Sequence, residues 1–355
     1  MAGIDMVGRL DADAALLRLR LQGLTRQMST GQQTDAPGDL APQLPRALSL
    51  QAEIGRRDAF SDAIGQAQGR AAVTQAALRR LGEIAREFGD GVSLKLDPLA
   101  PLSIPLAAAR ARAAMVEVGQ LLNTRHDGEY LFGGSDFGNP PVPDPNGLPS
   151  GGMAAQIAAA VATLGGGNAA VVAAATGAAA AADTAGVTPF SAFLSDPATG
   201  LAEPRRSVPA EDGVLAAYGI SANRNVAAAS AGETTGSWAR DLLRGLASLA
   251  ALTPAQTASP ADFWDFAGTI RDGLQSAGRA LADEAGALGL TEARFDGLRS
   301  RHADVTITLR AQLGSIVEVD LAAVLTRLQS TKATLEASYN MLGRLGELTL
   351  TRFLR

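Results

Sequence analysis

Side chains able to do chemistry are few in this chain, and they do not converge. Cysteine is absent, which removes thiolate nucleophiles, thiolate metal ligands and disulfides. Histidine occurs twice, at His126 and His302. His126 stands with Asp127 and Glu129, a set that could hold a metal, although a charged helix end accounts for it more simply. His302 falls on a helical apolar stripe and reads as a packed seam residue rather than a general base. Gly165-Gly166-Gly167-Asn168-Ala169-Ala170 has the spacing of a dinucleotide-binding turn. Such a turn needs a strand before it and an acid about 20 residues after it. Here a helix-like, alanine-rich stretch precedes it, and Asp183 comes too early. No H-E-x-x-H, G-x-x-x-x-G-K-[ST] or G-x-S-x-G occurs. No catalytic, cofactor-binding or metal-ligating residue is assigned, and no enzyme is expected.

The recurring feature is leucine at helical spacing, whose chemistry is burial. Val7, Leu10, Ala14, Leu17, Leu21, Leu24 and Met28 alternate steps of three and four, the period of a helix seam. Near the other end, Leu321, Leu328, Leu335 and Leu342 fall seven apart, and the apolar pattern continues through Leu345, Leu348, Leu350, Phe353 and Leu354. Val324, Thr331 and Ser338 fill the other half of that heptad. A single partner helix leaves part of so broad a stripe uncovered. We therefore expect an assembly seam made of Leu10, Leu17, Leu21, Leu24, Met28, Leu321, Leu328, Leu335, Leu342, Leu345 and Phe353.

Composition narrows the class. Aromatic residues make up 4% of the chain and hydrophobic residues 46%, so the apolar mass is Ala and Leu, the best helix formers. Lys and Arg number 31 against 36 Asp and Glu, which argues against a nucleic-acid binder, because phosphate contacts need clustered basic charge. Arg56-Arg57 and Arg79-Arg80 read as solvated helix faces or partner contacts. The opening MAGIDMVGRLDADAALL lacks a basic region followed by an apolar core, so no cleavable leader is expected. The uncharged stretch 145–182 is built from Ala and Gly and broken at Gly165–Gly167, and we expect no membrane span there.

The elements follow from these periods. Helices are predicted over 7–28, 46–90 and 104–126, with Pro105 in the first turn of the third. Ser259, Pro260 and Asp262 predict a capping box opening a further helix. From Phe263 a stripe runs through Ile270 and Leu281, and a later one through Phe295, His302, Leu313 and Ile316. RRSVPAEDGVLAAYG predicts two short strands about Glu211-Asp212-Gly213. The fold class is mainly α: a long antiparallel helical bundle or coiled-coil rod formed by both chain ends, with a small inserted domain holding β-strands and an Ala-rich segment. Terminal arms are expected at 1–35 and 318–355, a helical rod at 36–134 and 236–317, and an inserted outer domain at 135–235. Its block 150–187 is expected to be removable without unfolding the rod.

Both ends of the sequence resemble the flagellin superfamily of bacterial axial proteins. The first heptad, then QMSTGQQTDAPGDLA, then a long helix is similar to that family's helix, serine-glycine break and acidic turn, with Asp35-Ala36-Pro37-Gly38-Asp39 departing from the usual paired aspartates. VEVDLA and the leucine-rich close LGRLGELTLTRFL resemble the family's last two helices. Within the superfamily, GEYLFGGSDFGNPPV and that close are most similar to the hook–filament junction group, hook-associated protein 3. The resemblance implies a structural subunit that self-assembles into a helical tube through its terminal helices. It also implies export by the type III route without a cleaved leader, and an extracellular place in the flagellum. The implied partners are axial copies of itself, a hook-associated protein on the hook side, flagellin on the filament side, and an export chaperone on the C-terminal helix. Two other readings stay open on the residues alone. One is flagellin itself; the other is a coiled-coil signalling or adaptor protein, which would need heptads unbroken through the middle.

Overall fold

The computed structural model describes residues 2–33, 42–229 and 234–353. In the terminal helices it describes the side chains of residues 8–30, Leu10 excepted, and 321–344. The chain is mainly helical and divides into two compact units. One is formed by residues 1–59 with 301–355, the other by residues 60–300.

The first unit is built from both ends of the chain. Helix α1 (Ala2–Thr30) stops where Gly31 takes a φ of 69°, and the Gly31 N–H donates to the Gln27 carbonyl at 2.8 Å. A left-handed glycine closing the last turn is how such helices commonly end. Helix α2 (Leu44–Arg86) begins in this unit and α8 (Pro260–Val317) ends in it. Ala47, Leu50 and Ile316 form a small buried cluster, with Leu309, Leu313 and Val317 packed against it. Helix α9 (Leu321–Phe353) restarts after a three-residue break. Asp320 caps it, its Oδ1 accepting the Ala322 N–H at 2.9 Å and the Ala323 N–H at 3.2 Å.

The second unit holds the rest of α2 and α8 around one continuous core. The α2 helix ends in a π-helical turn, Glu87–Val92, with the Ser93 hydroxyl donating to the Phe88 carbonyl at 2.6 Å. Helix α3 (Ile104–Leu122) has its proline in the first turn, as expected. It stops short of the predicted residue 126. Asp127 and Gly128, at φ 50° and 83°, form the two-residue turn of a hairpin between β1 (Arg125–His126) and β2 (Glu129–Tyr130). Asp-Gly is the local signal for that turn, and it overrides the helical period.

The inserted segment is present, but it is not a core apart. It contains α4 (Gly152–Ala162), α5 (Ala169–Ala181), the short α6 (Ala192–Ser195), and the antiparallel pair β3 (Ser207–Glu211) and β4 (Val214–Ala217). Those strands fall where the sequence placed them, with a bulge at Pro209/Glu211. The helices α4 and α5 pack on α7 (Trp238–Ala251), as does α3. The reason lies in α7: Trp238, Ala239, Leu242, Leu243, Leu246 and Leu249 are buried on one broad face, and on the other side Arg240 and Arg244 donate to the Ala180, Ala182 and Ala173 carbonyls at the α5 helix. An apolar face that broad, backed by arginines that need acceptors, must be covered on both sides. The stripes Met153, Ile157, Val161 and Val172, Ala173, Ala180 supply part of that cover and join the same core. The expectation that block 150–187 could be removed without loss is corrected on this ground.

Two local expectations also change. Asp262 does not close a capping box with Ser259; its carboxylate accepts the Gly167 N–H at 2.9 Å. The capping box is made by Thr253 and Gln256, one turn earlier in the chain. Gly165, Gly166 and Gly167 all have positive φ and join α4 to α5, with Asn168 Oδ1 accepting the Gly165 N–H at 2.8 Å. A helix, not a strand, leads into that glycine run.

Candidate assembly surface

The two helix breaks of the first unit are hydrogen-bonded to each other. Gln33 N–H donates to the Val317 carbonyl at 2.8 Å, and Val319 N–H donates to the Gly31 carbonyl at 3.0 Å. Gln32 and Glu318 form the antiparallel bridge between them. The serine-glycine break of the N-terminal arm therefore meets VEV of the C-terminal arm. Both are places where a helix has just stopped and backbone groups lack intrahelical partners. Pairing them satisfies those groups and sets the register of α1 against α9. The turn 35–39, which carries the departure from the family pattern, lies outside the described residues.

From that anchor the arms pack side by side. On α1, Ala14 and Leu24 are buried and Leu17 and Leu21 are half-buried. On α9, Val324 and Thr331 are buried, while Leu328, Leu335, Ser338 and Leu342 are half-buried. The α9 series steps by four and three, so both halves of its heptad face α1. Ser338 fits on that face because its hydroxyl donates to the Thr334 carbonyl at 2.9 Å and needs no other partner. Further along, the Arg18 guanidinium lies over the Tyr339 ring and hydrogen-bonds its hydroxyl.

Of the expected seam residues, Leu17, Leu21, Leu24, Leu328, Leu335 and Leu342 meet in this intrachain contact. Met28 and Leu321 do not; both are exposed, Leu321 at 52%. Leu10, Leu345 and Phe353 lie in α1 and α9, with side chains outside the described set. Sequence reasoning missed a second stripe. Ala12, Leu16, Leu19 and Gly23 step by four, three and four along α1 and are all exposed, Leu16 at 63% and Leu19 at 65%. Leu325 and Met341 are exposed on α9. The signal was LLRLRL: leucines on both sides of the helix, which a single three–four reading cannot hold. Large apolar side chains left uncovered after two helices have closed mark a surface for a further partner.

Neither histidine lies on α1 or α9. His302 is buried on α8. His126 sits in β1 with Asp127 at 3.3 Å. Among the described residues no group of three His, Cys, Asp or Glu could hold a metal ion, and no helix is long and apolar enough to cross a membrane. What this surface can do is associate.

Residues 17–136 match the family described as bacterial flagellin N-terminal helical region. Over those residues the chain is flagellin-like. The matched stretch takes in the second half of α1, the break at Gly31, α2, α3 and the first hairpin. The match likens this region, about a third of the chain, to flagellin, a structural family whose members polymerise into the bacterial flagellum. No curated protein matches the chain significantly. The flagellin-like break at Ser29-Thr30-Gly31 is the element that the structure pairs with Val317–Val319.

Proposed function

We propose that this chain is the subunit that joins the hook to the filament, and that it self-assembles into a helical tube through its terminal arms. Flagellin-type identity over 17–136 supports the axial role. The junction position rests on GEYLFGG and the leucine-rich close, which are similar to the hook-associated protein 3 group. The observation that carries the assembly reading is the apolar surface of Leu16, Leu19, Leu321, Leu325 and Met341, which remains exposed once α1 has closed on α9. Each such side chain is worth roughly 1.5–3 kcal/mol when fully buried, so neighbouring copies that cover the stripe gain from association. In this reading the copies contact one another laterally, a hook-associated protein caps the hook side, and flagellin continues the filament. An export chaperone covers the C-terminal helix before secretion by the type III route without a cleaved leader.

Electron microscopy of the purified chain mixed with hook fragments and with filament fragments tests this. A short collar added at the distal end of hooks, on which flagellin then polymerises, is the expected result. Long filaments grown from the chain alone would assign it to the filament instead. No association with either would overturn the axial reading.

A further inference from the structure

The second unit contains a small cavity of about 30 Å³ at the root of the β3–β4 hairpin. Its walls include four arginines, Arg70, Arg205, Arg206 and Arg224, and one carboxylate, Glu203. The nearby carboxylates are already engaged. Glu129 Oε2 accepts Arg70 and Arg206, each at 2.7 Å. Glu203 Oε2 accepts the Ser135 N–H at 3.1 Å. Glu284 Oε1 accepts three successive backbone amides, those of Val226, Ala227 and Ala228, at 2.5, 2.8 and 3.1 Å, and its buried Oε2 has no partner among the described residues. The arginines are less well served. Arg224 gives its terminal nitrogens to the carbonyls of Leu201 and Glu203, and its buried Nε has no acceptor. Arg205 makes one hydrogen bond among the described residues, from Nε to the Gly219 carbonyl at 3.1 Å. Burial pushes both Arg70 and Arg205 below the ordinary guanidinium value, with Arg206 adding to the effect at Arg70. Four guanidinium groups thus face three carboxylates, an excess of one positive charge.

We propose that this cavity binds a single small monovalent anion of the chloride class. Charge sets the sign, because desolvated guanidinium with a donor to spare favours an anion over neutral water. Charge balance sets the class, because one unmatched guanidinium charge calls for one monovalent anion, and the space admits a single monatomic ion. The bound ion would tie together three segments: Leu131–Gly134 after β2, the Arg205–Arg206 entry to β3, and the Arg224–Val226 return. It would act as an inorganic pin holding the hairpin to the helical core.

The test uses the full chain. Thermal melting is followed in sodium chloride and sodium gluconate mixed at constant ionic strength, and crystals are soaked in sodium bromide. Chloride in place of gluconate is expected to raise Tm by about 2–4 °C along a saturating curve, and bromide to give an anomalous peak in the cavity. R205Q is expected to fold and to lose the halide dependence, while R279Q, on α8 away from the cavity, keeps it. Should R205Q not fold, the bromide peak and the halide titration of the unaltered chain still decide. Equal Tm in chloride and gluconate, a rise that R205Q retains in full, or a cavity without anomalous density would each overturn the proposal.

Discussion

Arg18 of α1 lies with its guanidinium carbon 5.1 Å from the ring centroid of Tyr339 on α9, 321 residues away in sequence. It is a polar clamp on an otherwise apolar contact between the two chain ends. Both side chains are largely exposed, so the interaction is worth about 0.5–1 kcal/mol. A double-mutant cycle with R18A and Y339A should return a coupling of that size in arm stability, read by amide exchange along α9. Additive effects of the two substitutions would show that the contact contributes nothing.

Leu335 and Leu342 sit half-buried against α1, one heptad apart. Replacing both by Asp puts carboxylates on a face that must be desolvated, at a cost of several kcal/mol when the face closes. Amide exchange in α9 should speed up, and the proposed incorporation into the axial polymer should be lost. The second unit should melt as before, because residues 60–300 carry their own core. Cell motility and circular dichroism read the two outcomes separately. A mutant that still assembles would show that assembly does not need the closed α1–α9 contact.

Arg240 is buried at 3% exposure, and its guanidinium serves the carbonyls of Ala180 and Ala182 and the side chains of Asp183 and Asn223. Arg240→Leu should destabilise the second unit by about 3 kcal/mol, since it strands those acceptors. Asp183→Asn should cost less, because Asp183 is partly exposed. Urea unfolding of the two variants gives the order.

Deleting 150–187 removes α4 and α5 from one flank of α7. Loss of the cooperative unfolding transition of the second unit is expected, because Trp238 and the α7 leucines would then meet water. A deletion that melts as sharply as the intact chain would show that the helices are an appendage.

Glycine spacing on α7 and α8 gives a paired test. A Cβ on Gly245 would stand 2.5 Å from Leu274 Cδ2, whereas one on Gly273 meets nothing within 4 Å. Gly245→Ala should cost about 1–3 kcal/mol by overpacking. Gly273→Ala should stabilise by about 0.5–1 kcal/mol through helix propensity. Differential scanning calorimetry separates the signs.

The sequence by itself determined the helices, their apolar faces and the flagellin-like N-terminal region, because 3.6-residue periodicity and turn chemistry are local. The α1 heptad, Pro105 at the start of α3 and the strands about Glu211-Asp212-Gly213 all follow from neighbours within a few positions. Tertiary structure decided what those faces touch. Only folding shows that Gly31 meets Val319, that Val324 and Thr331 share the seam with Leu328 and Leu335, and that Leu321 stays outside it. A stripe on a helix specifies that burial must happen, not which partner supplies it. The same reason explains the insert. Its alanine-rich composition looked self-contained, yet the leucines of α7, with Arg240 and Arg244 bonding α5 carbonyls, draw α4 and α5 into the core. The four arginines around one small cavity come from three separated stretches of chain, and no local pattern brings them together.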